Sequence, residues 1–388
     1  MIKVLLNCNS REKNKMGKKE FKVTPWEVKG DIDYDKLIRE FGISPMPDDL
    51  PLIFKKNHLF RRKIVYGHRD FYKIIEAVKN KEKFVMMTGL MPSGKFHFGH
   101  AMVVEQILFY QNIGAKLYIT VADIEAYNTR NPNLEDLQKT ALEEYLTNYI
   151  ALGLKPKNLD IYFQSRRNSN AKKSNAYYSL ANKAARHITL NEVQAIYGEV
   201  TPGKLASALL QVSDMIHAQL KEFEGPIPVI VPVGSDQDAH IKLARDILQR
   251  IKFHNFKQIS STYHFFMPGL KGGKMSSSDP LSYISLTETP EEAENKIRKY
   301  AFSGGQATLE EHKKKGGNPD VDVSYQWLRM FFEQDDKKLM NIYDDYKSGK
   351  LLTSEIKDIL IEKMIKFLRQ HNKNRERAKK QVNKFLKN

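Results

Sequence analysis

The sequence predicts an α/β fold in which a doubly wound parallel sheet follows a small extension and precedes a helical domain. Between residues 84 and 290, short apolar runs alternate with amphipathic stretches of helical periodicity, which is typical of a parallel sheet covered by helices. Before residue 84 the pattern is irregular, and from residue 291 it is helical. We therefore expect a loose basic tail over 1–20, an N-terminal extension over 21–83, a Rossmann-like domain over 84–290 and an α-helical C-terminal domain over 291–388.

Short apolar runs mark the strands of this sheet. The candidate strands are Phe84–Thr88, Leu117–Val121, Leu159–Phe163, Val229–Val233 and Tyr263–Phe266. Helical periodicity lies between them, near 100–113, 134–153, 173–185, 204–222 and 238–251. In the C-terminal domain, Thr353–Glu355 predicts a capped helix start, after which apolar residues recur at helical spacing with lysine and arginine opposite.

Composition restricts the class of protein. The chain has 388 residues, 41% hydrophobic and 28% charged, which fits a globular protein of roughly two to three domains. Its formal net charge of +17 predicts attraction to a polyanion, of which nucleic acid is the commonest. Cys8 is the only cysteine, which excludes an internal disulfide framework. No apolar run approaches the ~18 residues of a membrane span, so we expect no membrane contact and a cytoplasmic protein.

The first of two informative motifs is Phe96–His100, which follows the first candidate strand and begins a helical stretch. A strand, a glycine-bearing turn and a helix N-terminus form an anion site, because backbone N–H groups and the helix dipole point at the ligand. His97 and His100 are candidate hydrogen-bond donors, and Gly99 allows close approach to the backbone. An isolated histidine pair of this kind is more often solvated or buried in a core. The motif therefore indicates a ligand site only together with a second motif.

The second motif is Lys274–Ser278, which lies between a glycine pair and an Asp-Pro step and so predicts a mobile loop. Lys274 can move onto a phosphate, and the hydroxyls of Ser276, Ser277 and Ser278 can add hydrogen bonds. A linker would explain the serine run alone. It would not explain why both motifs occur in this order around one α/β pattern.

Polar residues also follow two further candidate strands. Asp123 and Glu125 follow the second strand, and Asp236 and Gln237 follow the fourth. Because ligands bind at the carboxyl ends of parallel strands, we expect these residues to share one crevice with the histidines. Asp236 has a second reading as the N-cap of the helix near 238–251, and both roles are compatible.

The two motifs together resemble the signature pair of class I aminoacyl-tRNA synthetases. Pro92–Lys95 and Leu210–Asp214 resemble the tyrosine/tryptophan branch of that family. Six further segments resemble archaeal and eukaryotic tryptophanyl-tRNA synthetases: Thr24–Val28, Ile32–Ile38, Gly67–Asp70, Ala301–Gly305, Glu310–His312 and Gly316–Tyr325. The resemblance extends over about residues 21 to 370.

The resemblance implies a two-step reaction. Tryptophan attacks the α-phosphate of ATP to give tryptophanyl-adenylate and pyrophosphate, and a terminal ribose hydroxyl of tRNA(Trp) then takes the aminoacyl group. His97 and His100 are expected at the phosphates and adenine, and Lys274 at the β- and γ-phosphates. Mg²⁺ is the expected counter-ion of ATP, bound mainly by phosphate oxygens and water. The family further implies that the C-terminal domain binds the anticodon region and that the enzyme is a homodimer.

The resemblance also assigns binding residues. The residues expected at ATP are Pro92, Ser93, Gly94, Phe98, Gly99, Gly234, Asp236 and Met275, with Asp236 at the ribose hydroxyls. Asp214 is expected to accept the indole N–H, a donor-only group, and Gln211 lies one helical turn earlier on the same face. Glu125 and Gln237 are expected at the α-ammonium group, and Met87 at the ring.

Three alternatives remain open. A tyrosyl-tRNA synthetase differs only in pocket chemistry, but Met87 replaces the tyrosine that such enzymes place against the phenol hydroxyl. A nucleotidyltransferase with the same histidine motif is disfavoured by chain length, because such proteins lack the helical C-terminal domain. A non-catalytic RNA-binding paralogue would have no use for His97, His100 and Lys274.

Overall fold

The computed structural model describes residues 22–23, 28–29, 34–131, 133–275 and 279–386. The expected tail, most of the motifs between residues 24 and 33, and Ser276, Ser277 and Ser278 lie outside the described residues, so the roles expected of them stay predictions.

The described residues form a small two-stranded sheet and a seven-stranded mixed sheet. The strands are β1 (Lys22–Val23), β2 (Val28–Lys29), β3 (Ser44–Pro45), β4 (Val65–Arg69), β5 (Val85–Leu90), β6 (Lys116–Val121), β7 (Leu159–Phe163), β8 (Val229–Gly234) and β9 (Ser260–His264). In the large sheet the order is β3-β4-β9-β8-β5-β6-β7. Strands β5 to β9 are parallel, and β4 and β3 add an antiparallel edge beyond β9.

Helices connect the strands and form most of the C-terminal part. In the N-terminal half they are α1 (Tyr34–Phe41), α2 (Leu52–Lys55), α3 (His58–Arg61), α4 (Tyr72–Lys79), α5 (Phe98–Asn112), α6 (Asp123–Thr129), α7 (Leu134–Thr140), α8 (Thr147–Leu152) and α9 (Ala171–Ala184). They continue with α10 (Leu190–Tyr197), α11 (Pro202–Ile216), α12 (Asp238–Arg250), α13 (Pro290–Tyr300), α14 (Leu309–Lys315), α15 (Val323–Trp327), α16 (Asp336–Lys347) and α17 (Thr353–Lys379). Two π-helical turns, Ala141–Leu146 and Leu328–Phe332, lie within or beside these helices.

Alternate residues of the central strands pack into two separate cores. Met86 of β5 and Ile119 of β6 belong to the core that contains α5 and the C-terminal helices. Met87 and Tyr118, their neighbours in sequence, belong to the core that contains α9, α11 and α12. Since successive side chains of a strand point to opposite faces, the sheet is covered by helices on both faces. The predicted α/β, doubly wound fold is confirmed.

All five predicted strands are present and parallel, but the last is displaced. It begins at Ser260 and ends at His264, whereas the sequence pattern predicted Tyr263–Phe266. The first three residues of the observed strand, 260–262, are small and polar, and they are buried between β4 and β8. Two of their hydroxyls are hydrogen bonded, from Ser260 to the Asp70 carbonyl and from Ser261 to the Tyr263 hydroxyl. A polar run of this kind gives no apolar strand signal.

The long helix α17 begins where the sequence predicts, with a different cap. Leu352 occupies the N-cap position, and its backbone N–H donates to the Glu355 carboxylate at 2.7 Å. The Thr353 hydroxyl instead accepts a hydrogen bond from Ser303 at 3.2 Å. The predicted apolar stripe is buried, including Ile356 and Leu360. None of the described helices is long and apolar enough to cross a membrane.

Candidate active site

The order of strands reverses at β5, which pairs with β6 on one side and β8 on the other. Ligand clefts of open parallel sheets form at such a switch point, outside the carboxyl ends of the strands. A cleft of about 740 Å³ lies there. Of the residues predicted from the sequence, it is lined by Met87, Ser93, His97, Gly99, His100, Glu125, Gln211, Asp214, Gly234, Asp236, Gln237, Lys274 and Met275.

We call the part of the cleft around His97, His100 and Lys274 the histidine end. His97 is the N-cap residue of α5, and its backbone N–H donates to Nδ1 of His100 at 3.2 Å. The two imidazole rings are stacked with centroids 3.9 Å apart. Burial, followed by the charge of Lys274, lowers the pKa of His100 to about 4. Burial, with the neighbouring His100 and Lys274, likewise lowers the pKa of His97 far below its usual range.

Both histidines are therefore neutral near pH 7. Because Nδ1 of His100 accepts a hydrogen bond, the single proton of the neutral ring lies on Nε2. His100 can thus donate one hydrogen bond to a ligand without carrying a positive charge. Gly99 lies between the two histidines in sequence. A Cβ at this position would lie 3.0 Å from the His97 ring, so the glycine allows the close packing of the two rings.

Lys274 lies at the same end, on the loop that follows β9. Its ammonium forms an ion pair with Asp236 at 2.7 Å and lies 4.5 Å from the centre of the Phe266 ring. Gly272 and Gly273, with φ of 83° and 67°, adopt the left-handed conformation that glycine tolerates. The loop thus turns back so that Lys274 faces Asp236.

Asp236 does not cap the following helix. It lies in a 3₁₀ turn, Ser235–Gln237, and Gln237 occupies the N-cap position of α12 without a side-chain capping bond. The N-cap reading of Asp236 is therefore wrong, because the extra turn separates it from the helix start. Gly234 precedes it closely, and a Cβ at that position would lie 2.6 Å from the Phe266 ring.

We call the part of the cleft around Glu125, Gln211 and Asp214 the carboxylate end. Asp214, on α11, is 1% exposed and accepts hydrogen bonds from Tyr162, Tyr177 and Gln164 at 2.7, 2.8 and 2.8 Å. Burial raises its pKa to about 6, against the effect of these donors. The carboxylate is thus ionised near pH 7 and is held as an acceptor.

Gln211 and Glu125 lie beside Asp214. The Gln211 amide donates to the Glu125 carboxylate at 2.5 Å, and the Gln211 carbonyl oxygen is buried without a hydrogen-bond partner among the described residues. Burial raises the pKa of Glu125 to about 7, and the nearby charge of Asp214 acts in the same direction. This group of acceptors suits a ligand that brings N–H donors. Met87 of β5, 4% exposed, also lines the cleft.

The structure places Phe98 away from the cleft, contrary to the expected contact with ATP. Its side chain is fully buried, with ring centroids 5.0 to 5.7 Å from four aromatic rings of the C-terminal part. The helix that begins here directs neighbouring side chains to different faces, so His97 faces the cleft and Phe98 the core. Pro92 is buried and Gly94 is exposed in a left-handed turn (φ 75°), and neither is among the described residues that line the cleft.

Sequence reasoning missed several residues that line the cleft or support its side chains. Gln164 follows β7 directly, so the rule that ligands bind at carboxyl ends of strands could have identified it. The sequence did not identify Tyr162 and Tyr177 as site residues, because each counts only as an apolar residue in its strand or helix pattern. That their hydroxyls face a buried carboxylate is seen only in the structure. Tyr145, on the first π-helical turn, donates to the Ser93 carbonyl at 3.0 Å and supports the segment before the histidines.

A doubly wound sheet with a neutral histidine pair at a strand-to-helix turn and a lysine loop facing it defines a nucleotide-binding α/β protein. The chain matches the family of class I tRNA synthetases (W and Y) over residues 79–369, and it belongs to that family.

Two similar relatives are archaeal proteins named tryptophan–tRNA ligase. The protein of Methanocaldococcus jannaschii is 43% identical over 373 residues, which cover 95% of this chain and 99% of the relative. The protein of Aeropyrum pernix is 42% identical over 363 residues, or 92% and 96% of the two chains. The crystal structure of tryptophanyl-tRNA synthetase from Aeropyrum pernix superimposes with a TM-score of 0.85 over 91% of this chain and 96% of that one.

Proposed function

We infer that this chain is a tryptophan–tRNA ligase, which activates tryptophan with ATP and transfers it to tRNA(Trp). The observation that carries this inference is the buried acceptor Asp214, in the same cleft as His97 and His100. A carboxylate suits the indole N–H, a group that can only donate. The archaeal relatives named above, similar over nearly the whole chain, support the same substrate. Met87, in place of a tyrosine, disfavours the tyrosyl alternative.

The histidine end serves the ATP. In the first step an oxygen of the tryptophan carboxylate bonds to the α-phosphorus of ATP, and the bond from that phosphorus to the bridging oxygen of pyrophosphate breaks. This chemistry needs positioning and charge stabilisation more than a covalent catalyst. His100 donates from Nε2 to the charge that grows on the phosphate oxygens. Lys274 exchanges Asp236 for the β- and γ-phosphates, and Asp236 then accepts from the ribose hydroxyls.

The carboxylate end serves the amino acid. Asp214 accepts the indole N–H at the bottom of the pocket, and Met87 packs against the ring. The α-ammonium binds to the Glu125 carboxylate and to the carbonyl oxygen of Gln211, a buried acceptor that lacks a partner among the described residues. Gln237, which also lines the cleft, adds a further polar contact. The amino acid thus places its carboxylate toward the histidine end.

Mg²⁺ accompanies the ATP. The described residues contain no group of three or more histidine, cysteine or acidic side chains suited to a metal ion. In this proposal the ion is held by phosphate oxygens and water. Bound in that way, it would neutralise charge on the leaving pyrophosphate.

The remaining proposals concern the assembly. The basic helices of the C-terminal part, over 291–388, bind the anticodon region of tRNA(Trp), consistent with the net charge of +17. The enzyme acts as a homodimer in the cytoplasm, where translation takes place. The division into 1–20, 21–83, 84–290 and 291–388 stays a prediction. Strand β4 of the second segment pairs with β9 of the third, and β3 pairs with β4.

Pyrophosphate–ATP exchange tests the substrate. We expect exchange that depends on tryptophan and is absent with tyrosine, followed by tryptophan-specific charging of tRNA(Trp). Exchange with tyrosine alone would identify the tyrosyl enzyme. No exchange with any amino acid, together with retained tRNA binding, would identify the non-catalytic paralogue.

A further inference from the structure

Behind Asp214 lies a buried polar cluster that takes no direct part in the reaction. Tyr162 comes from β7, Tyr177 from α9 and Arg167 from the segment after β7, and each is at most 2% exposed. Both tyrosine hydroxyls donate to Oδ1 of Asp214, whereas Gln164 donates to Oδ2. Oδ1 therefore has two donors and Oδ2 has one.

Arg167 holds the ring of Tyr162 in place. Its guanidinium carbon lies 3.9 Å from the centre of that ring, within the range of a strong cation–π contact. Two hydrogen bonds to Asp160, at 2.8 and 3.2 Å, and a third from Nε to Nε2 of His217, at 2.9 Å, fix the guanidinium. The planar donor set of arginine suits this multiple bonding. The orientation of the Tyr162 hydroxyl is thus set by elements outside the cleft.

The arrangement leaves one acceptor position on Asp214. A carboxylate has about four lone-pair sites, two on each oxygen. Three donors fill both sites of Oδ1 and one of Oδ2. The nearby Thr120 hydroxyl contributes to lowering the pKa of Asp214 but forms no hydrogen bond of good geometry among the described residues, and Asp214 lines the cleft. The remaining site on Oδ2 matches a single N–H donor.

We propose that Tyr162 and Tyr177 are specificity-determining positioning residues, which occupy Oδ1 of Asp214 so that Oδ2 accepts the indole N–H of tryptophan. This inference rests on the proposed function, because it names the residues that orient its acceptor.

Loss of either hydroxyl weakens the acceptor in a pH-dependent way. A donor to the ionised carboxylate lowers its pKa, so removal of the donor raises it. Asp214 then becomes protonated closer to neutral pH, where its proton opposes the indole N–H. The titratable and charged groups around it are Glu125 on α6, Tyr162, Arg167, the neighbouring tyrosines of α9 and His217 after α11. Among these, Tyr162→Phe and Tyr177→Phe each remove one donor and no charge.

The test compares tryptophan with 3-benzothienylalanine, in which sulfur replaces the indole N–H. The ratio of kcat/KM for the two compounds in pyrophosphate–ATP exchange is measured from pH 5.5 to 9. We expect the wild-type ratio to fall below about pH 6. In Tyr162→Phe and in Tyr177→Phe we expect the midpoint of this fall to lie about one pH unit higher. The ratio should then be about twofold below wild type at pH 7 and about fivefold below it at pH 6, and it should recover at high pH.

The ratio isolates the proposed role. Both compounds carry the same α-ammonium group, so the contribution of Glu125 cancels, and so does any loss of folded enzyme. Tyr118→Phe is the matched control: Tyr118 is buried in the same cluster, 5.6 Å from the Arg167 guanidinium, and donates at 2.9 Å to Glu224 instead of Asp214. We expect the wild-type ratio and midpoint for this variant.

Three results would overturn the proposal. The first is an unchanged ratio and midpoint in both Tyr162→Phe and Tyr177→Phe. The second is an equal change in Tyr118→Phe, which would indicate a purely structural role of the cluster. The third is a wild-type enzyme that activates tryptophan but does not discriminate against 3-benzothienylalanine. A wild-type enzyme that does not activate tryptophan would instead overturn the proposed function, and the inference with it.

Discussion

The histidine end and the carboxylate end each take their main side chains from two stretches of chain, but the carboxylate end is held by side chains of several further elements. His97 and His100 lie within four residues, and Lys274 forms an ion pair with Asp236. At the other end, Asp214 is held by residues of β7, of the segment after it and of α9. The comparison indicates that the proposed phosphate binding depends mainly on local geometry, and that the proposed discrimination between amino acids depends on a three-dimensional network.

The largest effect is expected at the histidine end. Lys274→Ala removes the cation proposed for the β- and γ-phosphates, and we expect tryptophan-dependent exchange to fall about 10³-fold with tRNA binding retained. Lys271→Ala is the matched control, because Lys271 lies on the same loop and pairs with Asp279 at 3.1 Å. Equal losses in both variants, or unchanged exchange in Lys274→Ala, would refute the assignment.

A smaller and more selective effect is expected at the carboxylate end. Asp214→Asn keeps the size of the side chain but replaces one acceptor with a donor. We expect kcat/KM for tryptophan to fall about 10²-fold, while the KM for ATP stays within about twofold of wild type. A comparable rise in the KM for ATP would contradict the separation of the two ends.

The two ends are also expected to differ in pH dependence. The pKa of Glu125 is raised to about 7, so its carboxylate is lost as the pH falls through 7, and the KM for tryptophan should rise about eightfold between pH 7.5 and 6. The pKa values of His97 and His100 lie far below this window, so the KM for ATP should stay level. Glu125→Gln should remove this eightfold rise and leave only the roughly twofold rise at pH 6 that protonation of Asp214 causes; a KM for ATP that changes in parallel would show that the ends titrate together.

The smallest effect concerns the support of the histidine end. Tyr145→Phe removes the hydrogen bond to the Ser93 carbonyl and leaves the ring packed on Phe96. We expect the KM for ATP to rise about threefold, with the KM for tryptophan unchanged. Tyr110→Phe, at a fully buried tyrosine away from the cleft, is the control. A larger effect on tryptophan than on ATP would assign Tyr145 to the other end.

The difference between the ends also explains what the sequence could predict. The five parallel strands and the histidine and lysine motifs follow from local patterns, because strand periodicity and a strand-to-helix turn are properties of contiguous residues. The strands β3 and β4 lie in a segment without clear periodicity, and the pairing of β4 with β9 is a tertiary contact. Tyr162 and Tyr177 are separated from Asp214 by 52 and 37 residues. Such contacts become visible only when the fold brings the residues together.

Phe98 illustrates the converse error. Its position within the histidine motif predicted contact with ATP, yet its ring belongs to the core shared with the C-terminal helices. Adjacent residues at a helix start face different directions, so membership of a motif does not define the direction of a side chain.

The ion pair between Lys274 and Asp236 bears on which anions this basic protein holds. The ammonium of Lys274 is already paired with the Asp236 carboxylate at 2.7 Å. It attracts a free phosphate ion only weakly, because the phosphate must take the place of another negative group. Inorganic phosphate would leave the Asp236 carboxylate without a replacement hydrogen-bond donor. ATP carries a ribose diol for Asp236 and a polyphosphate for Lys274 on one molecule, so it can satisfy both partners at once. Free phosphate ions and the phosphate groups of RNA should therefore compete poorly with ATP for Lys274.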